Sequence, residues 1–141
     1  NNDIVESREY HISDNESWHY YMVGSDLEES NNIYLQSTPD AILKIEEYFK
    51  KKYPNINFKD SCEVVYIDAN DTSRLFRSIK RESLKPKDEI NCSEICRRFL
   101  AEEKEFDMSV LDEYTVTTLD NSGTDKMRPK LIATAILKKF R

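Results

Sequence analysis

Glycine is scarce in this chain, with only Gly24 and Gly123 among 141 residues. A Walker loop or a dinucleotide fingerprint needs several glycines close together, so that backbone N–H groups can approach phosphate. Neither can be built here, which excludes nucleotide-dependent enzymes of those two kinds. Cysteine is sparse and odd in number: Cys62, Cys92 and Cys96. A small disulfide-stapled secreted domain carries more, so the expected setting is intracellular, cytoplasmic or nuclear. No apolar run approaches the roughly 18 residues of a membrane helix. The acidic amino end, "NNDIVESREYHISDNESW", lacks the charged-then-apolar layout of a signal peptide. No membrane partner is expected.

What the chain does have is charge and rings. Charged residues make up 34 % and hydrophobic ones 38 %, so it lies outside the regime in which a chain cannot offset its ordering entropy. Eight tyrosines and six phenylalanines supply large buried areas per residue. The length fits one domain, 1–141, with an acidic amino end that frays at 1–7.

Charge is unevenly spread although the net value is −6. Residues 1–31 hold Asp3, Glu6, Glu9, Asp14, Glu16, Asp26, Glu28 and Glu29 against Arg8 alone. Basic residues gather at 74–87 and again at 126–141, through Lys126, Arg128, Lys130, Lys138, Lys139 and Arg141. Such asymmetry creates local fields of either sign.

"REYHIS" and "WHYYMVG" read as two strands joined at "DNES", and "NIYLQS" as a third. "TPDAILKIEEYFKKKYP" switches to a helical period: Thr38 is placed to cap it, Pro39 suits the first position, and Ile42, Ile45 and Phe49 share a face. "CEVVYID" is apolar on both faces apart from Glu63, as in a strand covered on each side. Residues 70–87 are helical again. Leu75, Phe76 and Ile79 fall on one side, expected inward; Arg74, Arg77 and Arg81 fall on the other, expected outward. "INCSEICRRFLAEEKEF" is a further helix, with Asn91 three residues before Glu94 as in a capping box. A strand is expected at 113–119 and another at 131–137. The order is β-β-β-α-β-α-α-β-β. That predicts an α+β fold: a mostly antiparallel sheet of about five to six strands with about three helices on one face. Ile45, Phe49, Val65, Ile67, Ile95 and Phe99 are the expected core.

Each candidate for chemistry has a plainer alternative. Cys92 and Cys96, with Cys62 and His11 or His19, add up to four zinc donors. Yet Cys92, Ile95, Cys96, Phe99 and Leu100 form one helical stripe, and free cysteine commonly behaves as a small buried hydrophobe. Asp68 and Asp71 sit after the buried strand, where carboxylates can hold a divalent ion beside a phosphate. Asn70, Asp71, Thr72 and Ser73 equally offer the next helix its cap. His11 and His19 flank a turn and read as surface histidines. Tyr66, Ile67 and Asp68 in "EVVYIDANDTSRL" resemble part of a Tudor-domain string. Ala69 replaces that string's second aromatic, its glycine is missing, and a helix is expected next, so no function is carried over.

No cofactor and no catalytic set is assigned. The function read from the sequence is a non-enzymatic protein-interaction or assembly module. Its basic patch (Arg74, Arg77, Lys80, Arg81, Lys85 and Lys87) docks an acidic or phosphorylated partner. The alternative is a nucleic-acid-binding accessory domain, with "WHYY" for stacking, although a pI near 5.0 is low for one. The third reading is an enzyme with a divalent-metal site near Asp68 and Asp71.

Overall fold

The computed structural model describes residues 3–13, 16–28, 33–123 and 128–139. Among them are four strands and five α-helices, an α+β composition, and the chain divides into two compact units.

The first unit spans 1–62 together with 108–110. β1 (Ile4–Ser13) and β2 (Glu16–Val23) pair as an antiparallel hairpin, with Tyr10 opposite Trp18 and Arg8 opposite Tyr20. Residues 4–7, expected to fray, are thus the start of a strand. A short 3-10 turn at Gly24–Leu27 leads out of β2. α1 (Pro39–Lys52) then lies against β1 and buries Ala41, Ile45 and Tyr48, on the face its period assigns. Thr38 precedes it in extended geometry, but its hydroxyl does not cap the helix. Arg8 takes that hydroxyl, and also reaches the buried Glu6 carboxylate at 2.5 Å. α2 (Phe58–Ser61) is a single turn capped by Asn57. Its buried Phe58 stacks on Phe49 at 5.2 Å.

The second unit spans 63–107 and 111–141. β3 (Val64–Asp68) pairs with β4 (Val116–Asp120) in parallel, Val64 beside Val116 and Asp68 beside Asp120. Parallel neighbours need a long crossover. The chain between them supplies α3 (Asp71–Glu82) and α4 (Cys92–Glu105). α5 (Arg128–Lys139) follows. Val64, Ile95, Leu111, Tyr114 and Ile132 are the buried apolar residues here.

The five- to six-stranded antiparallel sheet is therefore corrected to two separate two-stranded sheets, one antiparallel and one parallel. Two expected strands are missing. Residues 33–38 carry no strand, while Asn32 lies outside the described residues. The apolar segment 131–137 is helical: Ala133, Ala135 and two leucines favour helix, and Pro129 in the first turn is a start signal. The expected core is also corrected at Ile67, which is 47 % exposed on a strand with only one neighbour.

Candidate interaction surface on α3

α3 begins as its sequence requires. The Asn70 side chain accepts the Ser73 N–H at 2.9 Å, a true N-cap. Asp71 pairs with Arg74 at 3.2 Å, so it serves the helix from within its first turn. Asp68 ends β3, and its carbonyl accepts the Asn121 N–H at 2.6 Å. Asp120, beside it in register, sits below the usual carboxylate range because Ser122 donates to it. Arg128 closes on the same carboxylate at 2.5 Å. Among the described residues no group of three or more His, Cys, Asp or Glu side chains converges as a metal site.

The six basic residues separate into two groups. Arg74 is held by Asp71 and by Glu102 at 3.0 Å, and its guanidinium lies 4.7 Å from the Phe99 ring centroid. Burial works against its charge, but the Glu102 hydrogen bond and both carboxylates outweigh that and raise its pKa. Arg77 donates from Nη2 to the carbonyls of Asn121 and Gly123, at 2.7 and 2.8 Å. One turn before it, the buried Ser73 hydroxyl accepts the Gly123 N–H at 2.7 Å. Gly123 has φ of +90°, a conformation that favours glycine, so the loop can present both its N–H and its carbonyl to the helix. Ser73 and Arg77 thus clamp 121–123 to α3. Lys85 pairs with Glu82 at 3.0 Å. Lys80, Arg81 and Lys87 are exposed and form no ion pair with a described residue.

This arrangement turns the helix over relative to its hydrophobic pattern. Phe76 is 51 % exposed and Ile79 49 %, while Leu75 is half-buried. Lys80, four residues after Phe76, shares that outer edge. Leu84, just past the helix, is also exposed. The apolar edge faces water because the inner side is filled by a hydroxyl and two guanidinium groups whose hydrogen bonds are met. The polarity rule could not see those carbonyl and carboxylate partners.

α4 behaves similarly. Asn91 caps it through the Glu94 N–H at 3.0 Å. The return bond of the expected capping box is absent: Glu82 accepts the Asn91 N–H instead, at 2.9 Å. Glu94 grips Arg97 at 2.6 Å and Arg98 at 2.7 Å, and these bonds, Arg97 first, lower its pKa to about 2. Only Ile95 of the expected stripe is fully buried; Cys92, Cys96 and Leu100 are exposed and Phe99 is half-buried. Cys62 is half-buried, and burial, with the Glu46 charge, pushes its thiol up and keeps it protonated. Lys126 and Arg141 of the second basic cluster lie outside the described residues. Arg128 and Lys139 have acidic partners, Asp120 and Glu63.

Elsewhere, a cleft of about 440 Å³ opens beside Tyr48, where Lys44, Glu47 and Lys51 of α1 face Asp3 and Ile4. It is wide and mixed in charge, with no acid–base pair poised for chemistry. Compared with protein families, with curated proteins and with solved structures, the chain gives no match.

Proposed function

We propose that this chain acts by binding another protein through the outer edge of α3, and that the bound segment is amphipathic and acidic. The observation that supports this is the exposure of Phe76 and Ile79 at about half their area beside the uncommitted Lys80. An exposed Phe–Ile pair one helical turn apart suits apolar side chains at i, i+3 or i+4 of a partner. Lys80, with Arg81 and Lys87 nearby in sequence, suits carboxylates on that partner's rim. The basic patch therefore enters in reduced form. Arg74, Arg77 and Lys85 have internal partners, and the reading rests on the remaining three cations.

One observation favours the nucleic-acid alternative: Trp18, Tyr20 and Tyr21 of β2 are exposed, as stacking requires. Their surroundings oppose it. Glu6 and Glu9 lie on the paired strand, and the best bidentate phosphate ligands, Arg74 and Arg77, are already engaged.

The test is fluorescence anisotropy with a labelled acidic amphipathic helical peptide and with labelled single- and double-stranded oligonucleotides, at two salt concentrations. The expected result is peptide binding that tolerates salt and is lost in Phe76→Glu while the melting temperature stays unchanged. Oligonucleotide binding that collapses with salt, with no peptide binding, would overturn the proposal.

A further inference from the structure

The hairpin carries a second constellation, unconnected with the α3 surface. Pairing of β1 with β2 sets Glu9 directly opposite His19, and His11 opposite Ser17. Residues two apart on a strand point to one face, and cross-strand partners share that face. Glu9, His11, Ser17 and His19 therefore stand together on one side of the hairpin. Glu9 Oε1 lies 3.8 Å from His11 Nδ1 and 3.8 Å from His19 Nε2. Ser17 Oγ lies 2.8 Å from His11 Nδ1.

We propose that Glu9, His11 and His19 bind a divalent transition-metal ion of the zinc type. Two imidazoles and one carboxylate are a donor set that suits borderline metals, and not magnesium or calcium. The spacing suits it too. Donor atoms around a tetrahedral ion with bonds of about 2.0–2.1 Å stand about 3.3–3.4 Å apart, close to the separations between Glu9 and each ring. Glu9 now stands between the two rings, so the three donors do not yet meet at one point. Closing the set needs only side-chain rotation. The side chains of Glu9, His11 and His19 are 46 %, 76 % and 66 % exposed, and exposed side chains exchange rotamers within nanoseconds.

Ser17 gives the site an orienting contact. With its hydroxyl on Nδ1 of His11, Nε2 keeps the lone pair that a metal takes, the usual division of labour in a ligating imidazole. The acidic surroundings favour a cation here. Three protein donors leave one position for water, as expected of a site on an open face.

The test is calorimetric titration of the full chain, carrying Cys→Ser at 62, 92 and 96 so that thiols cannot compete, with Zn2+ and then with Mg2+. The expected result is one Zn2+ per chain and no Mg2+ binding. His11→Gln and His19→Gln should each weaken Zn2+ more than Ser17→Ala does, the latter by about tenfold. Imidazole nitrogen resonances of both histidines, followed during titration of the otherwise unaltered chain, give a readout independent of any variant's folding. Failure of the Cys-free chain to bind Zn2+, binding unchanged in both histidine variants, or histidine resonances that do not move would each overturn the proposal.

Discussion

α1 and α3 are both amphipathic helices, yet they close their units with opposite chemistry. α1 turns Ala41, Ile45 and Tyr48 inward, and its one buried charge, Glu46, pairs with Lys50 at 2.9 Å. α3 has Ser73 as its only fully buried residue, with the half-buried Arg74 and Arg77 beside it. The first helix is held by area removed from water, which is non-directional and tolerant of small shifts. The second is held by directed bonds to carbonyl and carboxylate oxygens, where losing a donor leaves acceptors unmet. An apolar edge is then left over for another molecule. A helix spends its hydrophobic face on its own fold only when nothing else fills the inner side.

The largest expected effect lies in α1. Ile45→Ala should cost about 2–4 kcal/mol, through lost transfer energy and a residual cavity. Ile79→Ala in α3 should stay within about 0.5 kcal/mol, because Ile79 is half exposed. Urea unfolding of both variants checks the contrast, and equal losses would erase it.

Next comes Arg77→Met, which keeps the aliphatic stem and removes both carbonyl bonds. A loss of about 1.5–3 kcal/mol is expected, the range for hydrogen bonds to a charged group. Amide hydrogen exchange at 121–123 should quicken in that variant. Unchanged exchange there would show that the clamp does not hold the loop.

Gly24→Ala tests the carbon-held side differently. A Cβ at Gly24 would stand 2.2 Å from the Tyr48 hydroxyl, whose oxygen also donates to Glu28 at 3.1 Å. Moving the ring costs about 1–3 kcal/mol and disturbs that bond. Gly24→Ala combined with Tyr48→Phe should recover part of the loss, measured by thermal melting.

The smallest effect is electrostatic. Glu94 is lowered from 4.5 to about 2, so its contribution is present above pH 4.5 and fades as pH falls towards 2. The group is largely exposed and screened, so the contribution is about 0.5 kcal/mol. Glu94→Gln should flatten that part of the stability–pH curve and change little at neutral pH.

These contrasts also mark what the sequence could reveal. The hairpin, α1 and both asparagine caps, Asn70 and Asn91, follow from local signals: alternation, period and side chains that meet their own backbone. The segment 131–137 was ambiguous because a short apolar run fits either period, and Pro129 was the signal that resolves it. The pairing of β3 with β4 joins residues some fifty positions apart, and no local pattern carries that. The orientation of α3 was illegible for a related reason. The partners of Arg77 are backbone carbonyls of a distant loop, and Glu102 reaches Arg74 from another helix. Of the six basic residues proposed for binding, the sequence could not separate the three with internal partners from the three without. The gathering of Glu9, His11 and His19 was within reach once the hairpin register was laid out, because Glu9 and His11 are two apart.

The central claim is the orientation of α3, with arginines inward and Phe76 and Ile79 outward. Thermal melting of Arg77→Glu and Phe76→Glu, measured side by side, tests it most directly. The account predicts that Arg77→Glu lowers the melting temperature by several degrees, because it sets a carboxylate against two carbonyls. Phe76→Glu should leave it unchanged. A Phe76→Glu chain that unfolds while Arg77→Glu melts normally would contradict the account and put the apolar edge inside.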